Sequence, residues 1–96
     1  MADVVVTSTA LAELEALIRT HSLPTDTKER FRLAVRDLGR FPELGPSLEG
    51  KWRGSRFMLG PWRWMIVVYH YEPAQGIVAV VTVQDGRSRR SATFSR

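Results

Sequence analysis

The stretch GPWRWMIVVYHYEP, residues 60–73, constrains the fold more than any other part of the chain. From Met65 to Tyr69 the residues are apolar without a break, and Ile66, Val67 and Val68 are β-branched. A strand with one wet face would alternate apolar and polar residues. An unbroken run therefore predicts a central strand buried on both faces. The strand is expected over Trp62 to Tyr71, with Pro73 ending it. Alternation then places Arg63, Met65, Val67, Tyr69 and Tyr71 on one side, and Trp62, Trp64, Ile66, Val68 and His70 on the other. The Trp side is the bulkier and is expected to meet whatever covers the sheet. Arg63 is then held on the opposite, more open face. An arginine anchored in this way loses less entropy on binding phosphate or carboxylate, and its planar fork suits both. The plain alternative is an ion pair with Glu49, Glu72 or Asp85.

Two covers for such a strand are legible upstream. Asp3 to Thr7 is short and β-branched and reads as a strand. Ser8 and Thr9 can cap the helix that follows, in which Leu11, Leu14, Leu17 and Ile18 share a stripe and Glu13, Glu15 and Arg19 face out. Leu23-Pro24 breaks it. Asp26 with Glu29 reads as a capping box for a second helix, with Phe31, Ala34, Val35, Leu38 and Phe41 on one stripe and Pro42 as its stop. PELGPSLEGKWRG is a loop rich in turn residues. The period then changes to 2. Ser55 to Leu59 alternates, with Phe57 and Leu59 expected in the core and Arg56 and Met58 on the open face beside Arg63. Residues 72–76 form a hairpin turn, and Ile77 to Val83 is a further apolar strand.

The expected class is α+β, in the order β-α-α-β-β-β. An antiparallel sheet carries a two-helix hairpin packed on one face, and residues 1–96 are expected to form a single domain. The absence of cysteine removes disulfides and thiolate metal sites and fits a reducing compartment. His21 and His70 are too far apart for a metal motif. MADVVVTST does not read as a signal peptide, and no apolar run approaches the length of a bilayer, so a soluble cytoplasmic protein is expected.

Charge is divided unevenly. Residues 1–50 hold six Lys/Arg against eight Asp/Glu, a sum of −2, and residues 51–96 hold eight against two, a sum of +6. All three Trp lie in the basic half. Such a half points to a polyanionic partner, either nucleic acid or an acidic protein segment.

The loop PELGPSLEG, the stretch SRFMLGPWRWMIVVY and the tail VTVQDGRSRRSATF occur in the order and spacing of the RelE/ParE superfamily of bacterial toxin–antitoxin toxins, which the chain resembles over nearly its whole length. The resemblance implies a toxin of a type II system that is held inactive by a cognate antitoxin. Two activities are implied. A RelE-like toxin is a ribosome-dependent mRNA endoribonuclease that inhibits translation, with the ribosome and mRNA as partners. A ParE-like toxin inhibits DNA gyrase without nuclease activity. A non-toxic RelE-like domain that only binds an antitoxin is a third reading.

For the nuclease, the resemblance implies Arg63, Arg56 and Arg90 as catalytic residues, with Arg63 on the scissile phosphate. Lys51, Arg53, Arg87, Arg89 and Phe94 would contact nucleic acid. Phe94 stands where such nucleases often carry a Tyr for proton transfer. No metal, cofactor or membrane is implied.

Overall fold

The structure is a computed structural model that describes residues 1–88 and 91–93. The candidates Arg89, Arg90 and Phe94 lie outside the described residues. The elements are β1 (Asp3–Val6), α1 (Ser8–Thr20), α2 (Thr27–Arg36), β2 (Arg56–Leu59), β3 (Met65–Glu72) and β4 (Ile77–Asp85). The expected α+β order is therefore the one observed. The sheet runs β1-β4-β3-β2, and β3 pairs antiparallel with β2 and β4. β1 joins the far side of β4 in parallel, which makes the sheet mixed.

β3 is buried on both faces. Met65, Val67 and Tyr69 pack with Leu14, Phe31, Val35 and Leu38 from the helical layer. Ile66 and Val68 pack on the other side with Leu48, Trp52, Phe57 and Val81. Complete burial of each aliphatic side chain contributes roughly 1.5–3 kcal/mol relative to exposure, so this run dominates the core. No described helix is long and apolar enough to cross a membrane.

The two faces are the reverse of those expected. Trp62 and Trp64 do pack against the helix-side core, but they belong to the turn before the strand. The Met65 amide donates to the Trp62 carbonyl at 2.9 Å, closing a tight turn, and the Gly60 amide donates to the Met65 carbonyl at 2.9 Å. Strand alternation therefore starts at Met65, and the Trp pair does not set its phase. β2 is inverted with it. Met58 packs against the helix-side core and Phe57 against the opposite cluster, while Leu59 is exposed.

The helices also depart from expectation at particular residues. Thr7 caps α1, its hydroxyl accepting from the Ala10 amide at 3.2 Å and donating to the Val80 carbonyl at 2.9 Å. Such a cap contributes about 1 kcal/mol. Glu13 does not face out. Its Oε1 accepts from Thr82 Oγ1 at 2.7 Å and from the Val83 amide at 3.0 Å, beyond the point where β1 ends opposite Val80. The capping box is not formed, because Asp26 pairs with Arg30 at 3.0 Å instead. α2 stops at Arg36 and tightens into a 3₁₀ turn over Asp37–Gly39, which leaves Phe41 exposed.

The face opposite the helices, carrying Ile66 and Val68, is covered by the loop that precedes β2. Ser47 bridges Arg56, the Phe57 amide donates to the Pro46 carbonyl at 3.2 Å, and the Leu48 amide donates to the Ser55 carbonyl at 2.9 Å. The Gly45 peptide is clamped from both ends. Its amide donates to buried Tyr69 Oη at 2.8 Å, and its carbonyl accepts from Arg56 Nη1 at 2.8 Å. Gly45 is required by proximity, since a Cβ there would lie 1.8 Å from the Phe57 carbonyl oxygen.

Tyr69→Phe leaves the buried Gly45 amide without a partner and should lower stability by about 1–3 kcal/mol. Gly45→Ala should cost more, because its clash is with backbone and no side chain can turn away. Urea denaturation of the three proteins checks the order, and equal midpoints for parent and Gly45→Ala would refute it.

Candidate functional site

Arg63 sits at the corner of the β2–β3 turn, and the turn explains its exposure. In the tight turn from Trp62 to Met65, Trp62 and Trp64 fold back onto the helix-side core, and Arg63 between them projects into solvent. Its guanidinium has no ion pair or hydrogen bond among the described residues. The expected acids are either engaged elsewhere or uninvolved: Asp85 binds Arg87 and His21, and Glu72 lies 3.8 Å from His70.

Around that turn, four side chains close a ring. Asp85 ends β4 opposite Met65. Arg87 donates to both of its carboxylate oxygens, from Nε at 2.9 Å and Nη2 at 2.8 Å. The Arg87 guanidinium also lies 4.7 Å from the centre of the Trp64 ring. His21, the C-cap of α1, has its ring 4.6 Å from Trp64 and its Nε2 3.5 Å from Asp85. The bidentate bond from Arg87 is the main reason that the Asp85 carboxyl is held below the usual carboxylate range, and burial opposes it. The Gly86 amide donates to the Trp64 carbonyl at 2.6 Å, so the start of the tail is tied to the Arg63 turn.

Arg56 stands elsewhere. It pairs with Tyr69 in the register, whereas Leu59, next to the turn, pairs with Ile66. That is on the order of 10 Å of strand between Arg56 and the start of the turn. Its guanidinium is spent on the Gly45 and Glu43 carbonyls, with Glu43 Oε2 at 4.0 Å. The expectation that Arg56 lies beside Arg63 is therefore corrected: the phase of β2 turns it toward the Gly45 loop. The nearby charge of Arg56 is a minor influence on Tyr69, whose hydroxyl burial pushes up and the Gly45 amide draws down.

Lys51 and Arg53 flank Trp52 on a 3₁₀ turn that lies over the face opposite the helices. Both are exposed, and Lys51 Nζ lies 5.7 Å from the centre of the Trp52 ring. The tail returns to this face. Ala92 packs in the same cluster, and its amide donates to Gln84 Oε1 at 2.7 Å. Alternation along β3 puts His70 on this face too, where its Nδ1 is 3.0 Å from the Gly54 carbonyl.

The structure thus gathers Lys51, Arg53, Trp52 and the returning tail on one face, and Arg63 and Arg87 at one end of the sheet. It does not bring Arg56 to either. Sequence reasoning missed Trp52, His21 and Asp85 as parts of this surface. Asp85 two residues before Arg87 was a usable signal for a local pair. Among the described residues, no group of three or more His, Cys, Asp or Glu could hold a metal ion.

No family model matches the sequence, and no curated protein matches it significantly. Solved structures do match. A chain of the toxin–antitoxin complex RelBE2 from Mycobacterium tuberculosis has a TM-score of 0.64 at 22% identity, over 88% of this chain and 96% of that one. The conserved hypothetical protein HP0894 from Helicobacter pylori has a TM-score of 0.60 at 14% identity, over 98% and 100% of the two chains. At such identities the likeness is one of fold, and it is the RelE-like fold that the sequence resemblance implied.

The Asp85–Arg87 pair sets an acid dependence. The folded-state pKa of Asp85 lies below its unfolded value, so the stability it contributes is present above about pH 3.9 and is lost as pH falls further. Asp85→Asn should be less stable than the parent near neutral pH and should show a flatter decline in acid. Urea midpoints measured across that range test this, and parallel acid limbs would contradict it.

Proposed function

We propose that this protein is the toxin of a type II toxin–antitoxin pair and that Arg63 is the residue through which it engages the phosphate of ribosome-bound mRNA. The observation that carries the reading is an exposed arginine, unpaired among the described residues, on a turn corner in a chain that shares its fold with a member of a toxin–antitoxin complex. The Trp62 and Trp64 anchors fix that turn, so Arg63 is held in place before a ligand arrives.

The proposed reaction is metal-independent. A ribose 2′-oxygen attacks the adjacent phosphorus as its proton leaves, and the bond to the 5′-oxygen breaks as that oxygen takes up a proton. The products are a cyclic phosphate and a free 5′-hydroxyl. Negative charge grows on the phosphate oxygens in between, and a preorganised guanidinium offsets it there. Lys51 and Arg53 would hold the strand, and Arg89, Arg90 and Phe94 of the tail belong to the same proposal. Arg56 is reassigned from catalysis to positioning the Gly45 loop, whose continuation carries Trp52.

A second reading is favoured by a specific observation. Arg56 and Arg87 are both spent on partners within the fold, which leaves Arg63 as the free guanidinium near the turn among the described residues. That suits a surface which binds a protein such as DNA gyrase without catalysis. In either reading the partner protein is an antitoxin.

The test is a cell-free translation reaction with added protein, reading both protein yield and the 3′ ends of the mRNA. Lost yield with new codon-positioned ends is expected. Arg63→Ala should reduce cleavage by roughly 10²–10³-fold, the usual effect of removing one preorganised charge-stabilising donor. Intact mRNA at normal yield would end the nuclease reading and make inhibition of gyrase supercoiling the next measurement.

A further inference from the structure

The Asp85–Arg87 pair differs from the other arginine–carboxylate pairs of the fold. Arg30 with Asp26 and Arg32 with Glu29 each make one contact on the outer face of α2, with both side chains more than half exposed. Arg87 instead donates to Asp85 from both sides of its fork, Nε to Oδ1 at 2.9 Å and Nη2 to Oδ2 at 2.8 Å. That is the geometry in which a guanidinium also takes a phosphate. The Asp85 carboxylate thus fills the place on Arg87 that a phosphodiester would occupy.

The pair is also built so that the guanidinium can leave. The Arg87 side chain is 59% exposed and that of Asp85 only 22%, so a ligand reaches the cation before the anion. Each carboxylate oxygen keeps another neighbour. Oδ1 accepts from the Arg87 main-chain amide at 2.9 Å, and Oδ2 has His21 Nε2 at 3.5 Å. Departure of the guanidinium therefore does not strand the carboxylate, which would be costly. The backbone need not move either. The Gly86 amide holds the Trp64 carbonyl at 2.6 Å, and the Ser88 amide holds the Asp85 carbonyl at 3.0 Å. Only the Arg87 side chain has to swing away from the Trp64 ring, whose centre lies 4.7 Å from it. Trp64 adjoins Arg63, so the swing begins one residue from the free guanidinium of the turn corner.

We infer that Asp85 is a positioning residue that holds Arg87 as an internal substitute for phosphate and yields it to a phosphodiester seated on Arg63. The inference rests on the reading of Arg63 as the phosphate contact. Arg63 meets the phosphate first, Arg87 exchanges carboxylate for phosphate, and Asp85 is left with His21 and the Arg87 amide. A carboxylate two residues away in the same chain has a high effective concentration, so a phosphate from a freely moving strand competes poorly with it. A strand already fixed by other contacts competes well, because little ordering remains to be done. Asp85 therefore favours positioned RNA over RNA free in solution.

The test is binding of a fluorescein-labelled oligouridylate to the purified protein, followed by anisotropy over a range of salt. Circular dichroism at the assay temperature checks that each variant is folded. Asp85→Asn should bind about two- to fivefold more tightly than the parent, the range of an exposed ion pair. The slope of log affinity against log salt should steepen by roughly 0.7, which is one further phosphate contact on a single strand. Asp85→Ser, whose hydroxyl can still accept from the Arg87 amide, should do the same and serves if Asp85→Asn does not fold. Loss of a nearby negative charge would by itself raise affinity for RNA, so the deciding comparison is made with Arg87→Gln. In that background the substitution at Asp85 should change neither affinity nor slope. An equal gain with and without Arg87 overturns the inference, as does no gain from either substitution or no binding by any variant. Intact mRNA in the translation reaction alongside the Asp85–Arg87 coupling would remove the nuclease reading alone. Cleavage without the coupling would remove this inference alone.

Discussion

Burial of β3 on both faces is the constraint from which the rest follows. A strand with no wet face needs two covers, and this chain makes them by different means. The helices supply one with apolar stripes. The other is a loop, and a loop can cover a sheet only if its own polar backbone finds partners. Here those partners are β2 itself, Tyr69 Oη and the Arg56 guanidinium. The contact is close enough that only a glycine fits at position 45. The glycine at position 45 is thus a consequence of the apolar run twenty residues further on.

The same constraint distributes the arginines. Arg56 is drawn into the loop clamp, and Arg87 into the ring with Asp85, Trp64 and His21, so neither guanidinium is free. Arg63 is spared because it sits at a turn corner, between two Trp side chains that satisfy the core. The functional character of the surface therefore depends less on how many arginines are present than on which of them the fold has left without work. By that measure Arg63, near the β2–β3 turn, stands out among the described residues.

Much of this was legible in advance. The run Met65–Tyr69 specified a strand buried on both sides, the 3.6-residue spacing of Leu14 with Leu17 and of Phe31 with Val35 specified two helices, and Gly76 marked the hairpin. Arg63 was identifiable by its setting between two tryptophans. The misjudged features share a cause. Where every residue of a strand is apolar, alternation fixes which residues share a face but carries no information about which face is which. Trp62 and Trp64 looked like members of the strand and would have decided its phase, but they belong to the four-residue turn that leads into it.

What the sequence determined by itself was the element order, the identity of the buried strand and the basic character of the C-terminal half, because each follows from local periodicity or simple counting. What only the tertiary structure decided was the phase of β3, the parallel addition of β1, the cover over the second face and the pairing state of each arginine. Those depend on contacts between residues far apart in the chain. Glu13 meeting Val83, Gly45 meeting Tyr69 and His21 meeting Asp85 are set by how layers pack, and no local pattern encodes them.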